Sequence, residues 1–327
     1  MKLAALAILA LPVMAEDIRI HVLGLFRPLA ITIEAAWLHM AGERVALNQP
    51  LVCHAKGNEV ECRLGQRVIG AAVALAGGPA ITLDLPGKMR RTYAGQLTLQ
   101  ARDGILEPVM NVDLETAVAI AVAAELPGAP AEAAKAQAVA ARSYYRAGAR
   151  HNHALFCDTT HCQLFGGQVS STHPAAGAAQ ATRSIVLGHK GRTVAGLYFR
   201  SCGGSTFSAG DVGLPAGGYP YYAVECSVCR IGPRTWETKL PASDAAVLLR
   251  ESRSENGRLE LARKFGWDRI PSNSFRASRQ GEFILLRGEG EGHGVGLCQR
   301  GAQGLAARGY DFRSILRHYF PNTNLLQ

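Results

Sequence analysis

A single glutamate closes an apolar stretch of this sequence. Residues Leu114 to Leu126 are rich in Ala, Val and Ile, and Glu125 stands near the end with Ala123, Ala124 and Leu126 around it. A carboxyl in such company is partly desolvated, which raises its pKa toward the range of a proton donor; a solvated carboxylate at a helix end is the plain alternative. No second acid accompanies Glu125 in the neighbouring motifs, and Asp158, in a cysteine-containing loop, is the nearest candidate. One acid suffices when the substrate brings its own nucleophile.

That loop runs His151-Asn152-His153-Ala154-Leu155-Phe156-Cys157-Asp158-Thr159-Thr160-His161-Cys162. Two thiols and several imidazoles within twelve residues suit a tetrahedral zinc ion. A Cys157–Cys162 disulfide is the competing reading. Two glycine-rich loops follow. Ser201-Cys202-Gly203-Gly204-Ser205-Thr206 offers backbone donors and hydroxyls, and Gly292-His293-Gly294-Val295-Gly296 surrounds one imidazole with glycine. Either loop can approach a ligand closely or serve only as a tight turn. Cys226-Ser227-Val228-Cys229 lacks the strand–helix–strand setting of a redox motif. It reads as a local disulfide, or as partners for Cys202. No complete Ser-His-Asp or HExxH signature supports a zinc hydrolase.

These residues need elements to hold them. Leu114–Leu126 reads as a buried helix stopped by Pro127 and Gly128. Pro130 suits the next helix start, and Ala131–Ala149 is strongly helical by propensity, with alanines forming a flat packing face. Upstream, Ile18–Leu25, Ala30–Ala35, Val60–Leu64, Ile81–Leu85 and Gln96–Ala101 read as short strands. Cys53 and Cys62 flank Lys56-Gly57-Asn58, which reads as a bridged hairpin. Downstream, Ile185–Leu187, Thr193–Phe199 and Phe283–Leu286 read as strands, and Ala242–Arg250 and Phe312–His318 as helices. The expected fold class is α+β. A β-rich N-terminal domain over 16–92 precedes a mixed α/β catalytic domain with a substrate groove over 93–327.

Four clusters in order resemble the SpoIID/LytB family of peptidoglycan-remodelling proteins. They are Glu125-Leu126-Pro127 with the helix Glu132-Ala133-Ala134-Lys135-Ala136-Gln137-Ala138-Val139-Ala140-Ala141-Arg142-Ser143-Tyr144; Cys162-Gln163-Leu164-Phe165-Gly166-Gly167; Ser201 to Thr206; and Gly292 to Ala302, continuing through His318-Tyr319-Phe320-Pro321-Asn322-Thr323. The resemblance covers about Tyr93 to the C-terminus. Leu126 replaces the usual Met, and the CxxC lies outside the family's core pattern.

The resemblance implies a lytic transglycosylase that cuts glycan strands, with Glu125 as acid/base and the C6 hydroxyl of N-acetylmuramic acid as nucleophile. It implies denuded strands as substrate, with Arg142, His161, Gln163, Ser201, His293 and Gln299 lining the groove. It also implies zinc on His151, Cys157 and Cys162, with His153 as a substitute for His151. His161 is then a histidine near the active site rather than a ligand. Arg142 alternatively forms an ion pair with Glu132 or Asp158. Relatives that stimulate a wall amidase without cutting glycan supply the alternative function.

Composition fits a wall protein. Lys2 followed by the apolar run Leu3–Leu11 and Val13-Met14-Ala15 reads as a signal peptide cut after Ala15. The mature chain is then secreted, periplasmic or wall-associated, with no transmembrane segment. The 327 residues carry a formal net charge of +9. The positive charge is mostly arginine and thinly spread, which argues against a nucleic-acid arm and suits an acidic extracellular polymer.

Overall fold

The computed structural model describes residues 16–148, 151–152, 155–245 and 254–327. The expected signal peptide, His153 and the second half of the expected Ala242–Arg250 helix lie outside the described residues.

Twelve strands come first: β1 (Asp17–His21), β2 (Ala30–Glu34), β3 (Trp37–Met40), β4 (Glu43–Ala46), β5 (Leu51–Lys56), β6 (Glu59–Leu64), β7 (Arg67–Ala71), β8 (Val73–Gly77), β9 (Ile81–Leu85), β10 (Met89–Tyr93), β11 (Gln96–Arg102) and β12 (Ile105–Asp113). The expected strand Ile18–Leu25 is shorter, because a 3-10 turn follows at Gly24–Phe26. Strands β10-β9-β2-β5-β6-β7 form one sheet. A second runs β1-β12-β11-β8-β3-β4, with Phe156–Cys157 (β13) added parallel to β1 at its edge. Alternation turns Ile31 and Ile33 of one sheet and Leu97 and Leu99 of the other into a single core. Strands β11 and β12 lie beyond residue 92 and are hydrogen-bonded into this sheet.

The hairpin of β5 and β6 pairs Cys53 with Cys62, and the two are disulfide-bonded across a separation of nine residues. Cross-linking a loop of that size removes unfolded-state entropy worth about 2–3 kcal/mol. Cys53→Ser with Cys62→Ser is therefore expected to lower stability by about that amount in chemical denaturation.

Asp113 begins the first helix, α1 (Leu114–Glu125), by accepting a hydrogen bond from the Thr116 N–H at 3.0 Å. The helix ends because Pro127 offers no N–H and Gly128 takes a positive φ of 69°. Pro130 precedes α2 (Ala131–Arg146), three residues shorter than expected. Both flanks of α2 are buried. Ala134, Ala138, Ala141, Tyr144 and Tyr145 enter the strand core, while Ala133, Ala136, Val139 and Ala140 enter a second core. The flat alanine face matters at Gly196, where a Cβ would lie 2.2 Å from the Ala140 carbonyl oxygen.

The remainder follows in sequence; Ala175, Ala178 and Ala179 still enter the strand core, and much of the rest forms the second. It comprises α3 (Pro174–Ala181), β14 (Val186–His189), β15 (Arg192–Thr193), β16 (Tyr198–Phe199), the short α4 (Ser227–Ile231), β17 (Thr235–Pro241), α5 (Ala242–Ala245) and α6 (Glu255–Phe265). Then come β18 (Phe275–Gln280), β19 (Phe283–Glu289), β20 (Leu297–Cys298), α7 (Gln299–Ala307), α8 (Phe312–Tyr319) and β21 (Asn324–Leu326). The expected strand Thr193–Phe199 splits into β15 and β16. Strands β16 and β20 pair in parallel, with Tyr198 opposite Leu297 and Phe199 opposite Cys298. Strands β17-β19-β18 form a separate sheet with a small core of Leu240, Leu261, Ile270, Ile284 and Leu286. The whole is α+β with a β-rich N-terminal region. No helix among the described residues is long and apolar enough to cross a membrane.

Candidate active site

Glu125 is the last residue of α1 and is partly buried. One carboxylate oxygen, Oε1, accepts the Leu164 N–H at 2.7 Å and lies 3.5 Å from the Tyr198 hydroxyl. Burial pushes its pKa above the ordinary carboxyl value of 4.5, against the opposing pull of the Leu164 N–H, Tyr198 and Arg200. The folded chain thus holds a proton that the unfolded chain releases. From about pH 4.5 up through the raised value, folding takes up a proton, so this group's contribution to stability falls as pH rises. Glu125→Gln keeps an acceptor for Leu164 and removes the titration. Its melting temperature is expected to exceed the parent's at pH 7 by roughly 1–3 °C and to converge with it near pH 4. A melting series across pH checks this.

Tyr198 organises the site. Its hydroxyl donates to Gln163 Oε1 at 2.9 Å, and Gln163 Nε2 donates to the Ala141 carbonyl at 3.2 Å. Burial raises the phenol pKa well above its usual value, so it remains a donor. At the other end of the same residue, the backbone of Tyr198 hydrogen-bonds the His293 ring. His293 Nδ1 accepts the Val295 N–H at 3.1 Å. The ring is therefore neutral with its proton on Nε2, and burial lowers its pKa accordingly. Sequence reading missed Tyr198, although it stands only three residues before the Ser201 loop.

The cysteine loop is brought beside Glu125 because its Phe156–Cys157 pairs with β1 and Leu164, two residues past Cys162, donates to the carboxylate. Cys157 and Cys162 are both free thiols, so the disulfide alternative is not formed. Ligand atoms of His151, Cys157, His161 and Cys162 all lie within 4.8 Å of one another. Cys162 Sγ is 3.3 Å from His151 Nε2 and 3.9 Å from His161 Nδ1, and Cys157 Sγ is 3.8 Å from His161 Nδ1. Hydrogen bonding to Cys162 and Thr159 draws the Cys157 thiol pKa down. Two sulfurs and two imidazoles at this spacing fit a tetrahedral zinc ion. His161, expected near the active site rather than as a ligand, places its Nδ1 within this same cluster, 3.8 Å from Cys157 Sγ.

Arg142 requires a correction. It is fully buried in α2 and cannot line a groove. Its partner is neither Glu132 nor Asp158 but Glu115, reached from Nε at 2.9 Å and Nη2 at 2.5 Å. Glu132 instead pairs with Lys135, and Asp158 accepts the Leu23 N–H. Gln163 is also buried, and its contacts hold Tyr198 rather than face solvent.

A pocket of about 320 Å³ opens beside the end of α1. It is lined by Leu126 and Pro127 with Arg200, Ser201, Arg234, Glu291, Gln299 and Arg300. Glu291 pairs with Arg234 and lies 4.0 Å from Arg200. The rim therefore carries three guanidinium groups against one carboxylate. Ser201 and Gln299 are mostly buried at its base. A larger cleft of about 1220 Å³ lies over the β17–β19 sheet, and none of the Glu125 cluster lines it.

Comparison with known proteins meets this geometry at the same residues. An uncharacterized protein of Brachyspira hyodysenteriae (strain ATCC 49526 / WA1) is 27% identical over 300 residues, which cover 82% of this chain and 81% of the relative. Residues 102–189 match the model of the SpoIID family, described as stage II sporulation protein. That span holds α1, α2 and the cysteine loop, and it is consistent with a cell-wall related role. The span similar to the SpoIID family model is thus the one that carries Glu125 and its first hydrogen-bond partner, Leu164.

Proposed function

We propose that this protein is an exported lytic transglycosylase acting on denuded peptidoglycan strands, with Glu125 as both acid and base. The observation that carries the reading is a partly desolvated carboxyl held by Leu164 and Tyr198 beside an arginine-rimmed pocket. Glu125 gives its proton to the glycosidic oxygen as the C1–O bond breaks. The resulting carboxylate then takes the proton of the muramyl C6 hydroxyl as that oxygen closes on C1. No water is consumed, and a 1,6-anhydromuramyl end results. Arg200, Arg234 and Arg300 suit the lactyl carboxylates that peptide removal exposes.

His151, Cys157, His161 and Cys162 fit zinc by donor chemistry and spacing. Bound there, the ion would supply positive charge and a fixed loop beside Glu125. Purified protein with denuded glycan tests the reading. Anhydro-ended fragments that vanish with Glu125→Gln support it. Their absence from the parent chain favours the amidase-stimulating alternative. Turnover lost on chelation yet only weakened in Glu125→Gln favours a zinc hydrolase.

A further inference from the structure

Four thiols that the Glu125 site does not use meet inside the second core. Cys202 follows β16, Cys226 and Cys229 bracket the first turn of α4, and Cys298 closes β20 and caps α7. All four are buried and free. Their sulfurs all lie within 4.8 Å of one another, and Cys229 Sγ is 3.6 Å from Cys298 Sγ. We propose that Cys202, Cys226, Cys229 and Cys298 are the ligands of a second, closed metal site that holds one zinc ion as a structural element.

Spacing is the first support. A Zn–S bond of about 2.3 Å puts the sulfurs of a tetrahedron roughly 3.8 Å apart. A disulfide needs the pair at about 2.05 Å; Cys53 and Cys62 are bonded in this same chain, and these four are not. A multi-iron cluster, with several metals and bridging sulfides between its ligands, needs a wider cage than this one.

The hydrogen bonds give independent support. Each sulfur has a partner able to donate to a thiolate. The Gly204 N–H donates to Cys202 at 3.4 Å, and the Gly301 N–H to Cys298 at 3.3 Å. The Tyr319 hydroxyl lies 3.4 Å from Cys226, and the Ser201 hydroxyl 3.7 Å from Cys229. Such outer partners stabilise the negative sulfurs that metal binding creates. The fold also closes tightly over the site. A Cβ at Gly301 would meet Cys226 Sγ at 2.7 Å and Tyr319 Oη at 1.9 Å. No position is left for water or substrate, which marks a structural site rather than a catalytic one. On binding, one zinc ion displaces four thiol protons and leaves a tetrathiolate of charge −2.

The test uses Cys157→Ser with Cys162→Ser, so that the surface loop contributes no metal. Native mass spectrometry and elemental analysis of that protein should find one zinc per chain, at the mass of one zinc ion in place of two protons at each charge state. Replacement by cobalt should give the intense sulfur-to-metal absorption of a four-thiolate site. Adding Cys226→Ser and Cys229→Ser should remove the ion. Should that variant not fold, the mass measurement on the first protein still decides. Any disulfide among the four in a non-reducing peptide map, four thiols without metal, or iron with acid-labile sulfide overturns the proposal. None of these outcomes depends on whether Glu125 cuts glycan.

Discussion

Glu125→Gln is expected to lower the release of 1,6-anhydromuramyl fragments by about 10³-fold or more, while the glycan strand still binds. The amide matches the carboxyl in size and still accepts the Leu164 N–H seen at 2.7 Å. It cannot give a proton to the leaving oxygen, and it cannot accept one from the C6 hydroxyl. Both halves of the reaction fail together, and the carboxylate in the adjoining pocket, Glu291, is already paired with Arg234. Fragment analysis by mass spectrometry, with pull-down on insoluble glycan as the binding control, reads the two effects separately. Unchanged fragment release in the variant would end the assignment of Glu125.

The second large effect is on stability. Arg142→Ala is expected to cost about 3–5 kcal/mol in chemical denaturation. The guanidinium serves Glu115 and the carbonyls of Ala179 and Ile185, at 3.0 and 3.2 Å. Truncation leaves the Glu115 carboxylate with only the Ser184 N–H and no countercharge in the seam between α1, α2 and the Ala179–Ile185 segment. Since breaking a buried pair is worse than replacing both partners, Arg142→Met combined with Glu115→Gln should recover a good part of the loss. Equal losses in the single and double variants would mean the charge pairing is not what holds the seam.

Local chemistry made α1, α2, the bridged hairpin and Glu125 legible in the sequence. Proline and glycine punctuate the helices, Cys53 and Cys62 frame their own turn, and a carboxyl among alanines advertises its desolvation. What escaped was set by contacts distant in sequence. Arg142 finds Glu115 across 27 residues, where Glu132 and Asp158 look nearer on paper. Cys202, Cys226, Cys229 and Cys298 come from three segments, so no spacing rule announces them. Strand β18, Phe275–Gln280, is exposed along nearly its whole length and reads as polar loop until β19 is known to pair with it. The same cause hid β4, whose residues are mostly exposed.

One consequence follows from where α1 stops. The peptide dipoles of its twelve residues sum toward a partial negative charge at the C-terminal end. Glu125 occupies that pole, so the helix itself repels an anion there and favours the neutral acid. The direction in which the chain runs thus works in the same sense as burial, which raises the pKa of this carboxyl. A carboxyl at the opposite end of the same helix would rest as a spent base.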